Sequence, residues 1–106
     1  MNNKPMIELL YFEDCPSWKM AQESLEEIIR KHNIEATVQL VQVETDQEAR
    51  DHRFVGSPSI LVDRKDLFPV DHENYALGCR VYQTPDGVRG WPTIGMLEDA
   101  LTARLS

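Results

Sequence analysis

Cysteine offers the most chemistry in this sequence, and it occurs twice, as Cys15 and Cys79. Cys15 lies in Leu9-Leu10-Tyr11-Phe12-Glu13-Asp14-Cys15-Pro16-Ser17-Trp18, where an apolar run gives way at a proline to a helical pattern. Proline is favoured at the first helical position, because its missing N–H would have had no intrahelical partner there. With Pro16 in that place, Cys15 is the expected N-cap. Its sulfur then faces the N–H groups of Ser17 and Trp18 and the positive end of the helix dipole. Such a setting favours thiolate over thiol and pulls the pKa below the free value of about 8.5. Glu13 and Asp14 oppose that shift by like-charge repulsion. Cysteine is a poor cap beside serine or aspartate, so its presence here favours a reactive sulfur over a cap kept for stability.

Cys79 has two readings. Free cysteine is among the most buried residue types, and Leu77, Val81 and Tyr82 make its surroundings apolar, which suits a core residue. Alternatively, the stretch 63–78 folds over the site and delivers Cys79 to Cys15 as a resolving thiol. A bridge between them requires Cα atoms within about 7 Å. His32, His52 and His72 have no ligand spacing with one another or with the cysteines, and no metal site is expected. Glu13 and Asp14 read as a solvated acidic rim. Arg80 alternates with Cys79 and Val81 and is expected at an exposed strand position, or as a cation serving the site. Trp18 reads as core or as a shield over the sulfur.

The elements that must position these residues follow from periodicity. Residues 6–12 are nearly all apolar, as in a strand buried on both faces. Residues 16–32 form an amphipathic helix with Trp18, Ala21, Leu25, Ile28 and Ile29 on one stripe, and Asn33 suits its left-handed stop. Residues 36–43, rich in β-branched side chains, give a second strand. Strand, helix and strand in this spacing make a right-handed βαβ unit with parallel strands. Thr45-Asp46-Gln47-Glu48 matches a capping box and opens a short helix ending near Arg53. Ser59-Ile60-Leu61-Val62 is a third strand, entered through Ser57-Pro58.

Asp63-Arg64-Lys65-Asp66 reads as a turn, residues 79–82 as a fourth strand antiparallel to the third, and Thr84-Pro85-Asp86-Gly87 as a turn. Residues 92–105 form the last helix, with Ile94, Leu97, Leu101 and Leu105 inward. The fourth strand in that arrangement brings Tyr82 to Thr84 closest to Pro58. Cys79 is then some residues away, which argues against a direct bridge in the resting fold.

This order, β-α-β-α-β-β-α, with a cysteine at the first helix start and Ser57-Pro58 entering the third strand, resembles the thioredoxin fold. The resemblance implies one domain over residues 1–106, an α/β fold whose four-stranded mixed sheet carries helices on both faces. It also implies a cis Ser57–Pro58 bond facing the cysteine. More narrowly, 9–16, 56–63, 77–82 and 84–87 are similar to small bacterial thioredoxin-family proteins often labelled alkylmercury-lyase-like. Thioredoxins carry Cys-x-x-Cys at the helix start, whereas here Trp18 takes the second cysteine's place. Cys-Pro is also similar to glutaredoxins, but no basic residue immediately precedes Cys15.

Two functions follow as expectations. In the first, a Cys15 thiolate attacks a disulfide, peroxide or glutathione adduct, and an external thiol such as glutathione, or Cys79 after movement, resolves the product. Pro16, Trp18, Ser57 and Pro58 are the expected substrate contacts, with the Ser57-Pro58 backbone pairing with an extended substrate. No bound cofactor is expected. In the second, the chain is a non-catalytic binding module or a soft-metal binder through thiolate.

Composition narrows the partners. A formal net charge of −7 over 106 residues argues against nucleic-acid and anionic-membrane surfaces. No apolar run approaches the length of a membrane span, and Met1 to Pro5 lack the features of a signal peptide, so a cytoplasmic location is expected. Nothing in the sequence specifies an oligomeric state.

Overall fold

The computed structural model describes residues 4–71 and 74–105. His72, and Met1 to Asn3 of the start compared with a signal peptide, lie outside these residues. In chain order the elements are β1 (Met6–Tyr11), α1 (Trp18–Lys31), β2 (Thr37–Gln42), α2 (Asp46–Asp51), β3 (Ser59–Val62), β4 (Lys65–Asp66), β5 (Tyr82–Thr84), β6 (Gly87–Arg89) and α3 (Ile94–Leu105). The main sheet has the order β2-β1-β3-β4. β1 and β2 run parallel, as the βαβ rule requires, while β3 is antiparallel to β1 and β4 to β3.

Side-chain alternation along the strands divides the core in two. Ile7 and Leu9 of β1, with Ile60 and Val62 of β3, face α1 and α3, meeting Ala21, Leu25, Ile28, Leu97 and Leu101. Leu10 and Leu61 face the opposite way, onto Val43, Ala49 of α2 and Phe54. Helices therefore cover both faces of the sheet, and a fully buried leucine, isoleucine or phenylalanine stabilises by about 1.5–3 kcal/mol. Asn33 takes the left-handed conformation (φ 50°) that ends α1. Thr45 caps α2 by accepting from the Glu48 N–H at 3.1 Å, and the Glu48 carboxylate accepts in return from the N–H of Glu44.

Three expectations are corrected. The first helix begins at Trp18, and its cap is Ser17, whose side chain makes no capping bond. Pro16 sits in a preceding turn whose carbonyl accepts from Lys19. Cys15 is therefore not the cap. Its N–H is committed to the Phe12 carbonyl at 2.9 Å, closing a turn through the exposed Glu13 and Asp14.

The fourth strand of the main sheet is Lys65–Asp66, in the stretch read as a turn. Asp63 and Arg64 both have positive φ, 50° and 72°, which is the backbone of a two-residue hairpin turn with the twist that strands prefer. The usual Asn-Gly or Asp-Gly signal for that turn is missing. With the place beside β3 filled, residues 79–82 cannot be the fourth strand. Tyr82 instead opens a separate hairpin of β5 and β6, whose turn is fixed by Thr84 Oγ1 donating to the Gly87 carbonyl and accepting from the Asp86 N–H.

Candidate active site

Cys15 and Cys79 form a disulfide, with Cα atoms 5.7 Å apart. This corrects the expectation of no direct bridge in the resting fold. The reason is the route of the chain after Gly78. Cys79 lies beside Ser57 in an isolated parallel bridge, made by the Ser57 N–H donating to the Gly78 carbonyl at 2.8 Å and the Arg80 N–H donating to the Ser57 carbonyl at 2.9 Å. The resemblance implies a cis Ser57–Pro58 bond, and the bond is cis. Ser57 and Pro58 are buried. The backbone groups of Ser57 expected to pair with substrate are thus taken by the chain's own Gly78 and Arg80.

The segment 78–82 is held by more than the disulfide. Arg80 is 6% exposed, not the surface residue its alternation suggests. Its guanidinium donates to Asp66 Oδ2 at 2.8 Å, to Ser59 Oγ at 3.2 Å and to the Phe68 carbonyl, and lies 4.5 Å from the centre of the Tyr82 ring. The Tyr82 hydroxyl donates to the Pro58 carbonyl at 2.6 Å, and its ring meets Phe68 edge-on. Burial drives the Tyr82 phenol far above its ordinary pKa, with the Arg80 charge opposing in part.

Gly56 completes the lock. Its φ is +124°, and a Cβ there would come within 2.8 Å of the Arg80 Cβ. Only glycine allows both that backbone and that approach. The alternation of residues 79–82 therefore runs in the phase opposite to the expected one. Arg80 and Tyr82 point inward, while Cys79 and Val81 are exposed.

Trp18, the first residue of α1, stacks on Tyr11 at the end of β1 with ring centres 4.2 Å apart. Pro16 is exposed. A Cβ on Gly90 would lie 2.6 Å from Ser17 Oγ, so the chain leaving β6 passes tightly against the start of α1. Ser57 Oγ is buried with no hydrogen-bond partner among the described residues. Among those residues no group of three or more His, Cys, Asp or Glu could hold a metal ion. No helix among them is long and apolar enough to cross a membrane.

Asp66, Tyr82 and Gly56 are the positioning residues that pattern reading missed, while Arg80 takes the second of its two expected roles, a cation serving the site. Asp66 and Arg80 come from two stretches read as unrelated, so no local spacing could have joined them. The available signal was Gly56 itself, standing directly before Ser57-Pro58 in a stretch already singled out.

The mixed four-stranded sheet, the helices on both faces and the cis Ser57–Pro58 bond leading into β3 define a thioredoxin-like fold. No protein-family model matches the chain, and no curated protein matches it in sequence. Among solved structures it is similar to the crystal structure of a selenoprotein W-related protein from Vibrio cholerae. The identity is 15% and the TM-score 0.58, over 98% of this chain and 100% of that one.

Proposed function

We propose that this protein is a thiol–disulfide oxidoreductase whose working group is the Cys15–Cys79 pair. One observation carries the reading. The segment bearing Cys79 is bonded to Ser57, Pro58, Ser59 and Asp66 through groups other than sulfur, so the two thiols stay adjacent after reduction. Such a pair passes between disulfide and dithiol without moving the backbone. Two equivalents of an external thiol reduce it and leave as one disulfide; in reverse, the dithiol gives two electrons to a substrate disulfide, which departs as two thiols.

Of the two resolving groups expected, an external thiol or Cys79 after movement, this makes Cys79 a standing partner of Cys15 that needs no movement to take part. Disulfide and glutathione-adduct substrates fit that exchange, with glutathione or another external thiol as reductant. Location in the cytoplasm fits it too, because disulfides there are mostly transient and catalytic. Kinship with the small proteins labelled alkylmercury-lyase-like fits this couple without any carbon–mercury chemistry.

The test is turnover of bis(2-hydroxyethyl) disulfide with glutathione as reductant. The wild-type protein should accelerate thiol release, and Cys15→Ser and Cys79→Ser should each abolish that acceleration. A wild-type rate equal to the protein-free background would refute the proposal.

A further inference from the structure

The two sulfur-bearing residues are not equivalent. Cys15 is 3% exposed, and its N–H closes the turn onto Phe12. Cys79 is exposed. Gly78 and Arg80 supply the bonds to Ser57, so the N–H and C=O of Cys79 itself face the other way. There they have no hydrogen-bond partner among the described residues. Val81, the next residue on that side, is 64% exposed. The outer edge of this segment is open, and Cys79 lies on it.

We infer that Cys79, not Cys15, is the sulfur at which external thiols and disulfides exchange. Cys15 is the buried partner. The inference rests on the redox reading above and assigns its direction. It reverses the roles expected from the sequence, where Cys15 attacks and Cys79 resolves. Exchange rates depend on which sulfur can be reached as well as on thiolate character, and access differs sharply here.

In the reductive direction, an incoming thiolate attacks Cys79 Sγ. A mixed disulfide forms on Cys79 and the Cys15–Cys79 bond breaks, its electron pair leaving on Cys15 as thiolate. A second external thiolate then takes the external sulfur away as a disulfide and frees the Cys79 thiolate. In the oxidative direction, the Cys79 thiolate attacks a substrate disulfide and expels one substrate thiolate. Cys15 thiolate attacks Cys79 Sγ, closes the intramolecular bond and expels the other.

The test uses the chromogenic disulfide dithiobis-nitrobenzoate on folded, reduced protein. Cys15→Ser, which retains Cys79, should react at least about tenfold faster than Cys79→Ser, each rate normalised to that of the same variant in denaturant. Because a variant can lose its fold, reduced wild type is also pulsed with substoichiometric iodoacetamide and mapped by mass spectrometry. The label should fall on Cys79. Preferential labelling of Cys15, or equal normalised rates, overturns the assignment while leaving the redox couple standing. If reduced wild type retains one nitrobenzoate adduct and never releases the second as its own disulfide closes, the couple fails and the assignment with it.

Discussion

Arg80, next to the exposed Cys79, sends its guanidinium inward to the Asp66 carboxylate at 2.8 Å, tying the redox segment to the hairpin strand that closes the sheet. The side chains are 5% and 20% exposed, so solvent screens the pair little. Removing one partner of such a pair strands the other and costs about 3–5 kcal/mol. Arg80→Ala should fall near the low end, about 3 kcal/mol, since Asp66 keeps some access to water. Denaturant unfolding of the reduced protein, free of the disulfide's contribution, measures it. A loss below about 1 kcal/mol, the level of an exposed pair, would contradict the anchoring role.

Gly56→Ala should be destabilising by about 1–3 kcal/mol, the range for a side chain forced into an unfavourable backbone region. The approach of Arg80 at 2.8 Å adds a clash that relaxes only by moving the Cys79 segment. Thermal unfolding of the disulfide and dithiol forms reads both effects, and the disulfide form, in which the bond to Cys15 keeps the segment from moving away, should lose more. Equal loss in the two forms would separate Gly56 from the redox segment.

Tyr82→Phe removes the hydrogen bond to the Pro58 carbonyl and should cost about 1 kcal/mol at neutral pH. Its second effect is on pH dependence. Burial holds the phenol's folded pKa above its unfolded value of about 10. The stability this contributes is complete below pH about 10 and is lost as pH rises above it. Tyr82→Phe should therefore flatten the alkaline decline, as followed by urea midpoints across that range. An unchanged decline would assign it to other groups.

Glu98 on α3 accepts from His32 at 2.7 Å and pairs with Lys31 at 2.9 Å, both at the end of α1. The hydrogen bond from His32, then that from Lys31, lowers its carboxyl pKa. A depressed carboxyl contributes stability above its unfolded pKa of about 4.3 that fades as pH falls through the folded value. Glu98→Gln should shrink the loss of stability on acidification. The same acid sensitivity in the variant would show that this solvent-facing cluster contributes nothing measurable.

Much of this fold was legible because it is set by local pattern. The stripe Ala21, Leu25, Ile28 gave α1, the β-branched run 37–42 gave β2, and Thr45 with Glu48 gave the start of α2. The site was legible only in its parts. Cys15 and Pro58 stand out by type and position, but their relation to Cys79 depends on where the chain goes after Val62. Two left-handed residues without glycine, Asp63 and Arg64, turn the chain at once and fill the sheet edge. That leaves Cys79 for Ser57. The inward phase of Arg80 likewise needs Asp66, a partner that no spacing announces. Backbone conformations outside residue preference and pairings between distant stretches lie beyond pattern reading.

The most direct measurement is the equilibrium of the protein with reduced and oxidised glutathione, quenched by alkylation and read by intact mass. Its constant, in molar units, is the effective concentration of one thiol toward the other. With Cys79 anchored by Ser57, Pro58 and Asp66, a value of about 1 M or more is expected, well above the millimolar range of flexibly linked partners. A millimolar value, or an accumulation of singly glutathionylated protein, would show that the thiols part on reduction and would contradict the account.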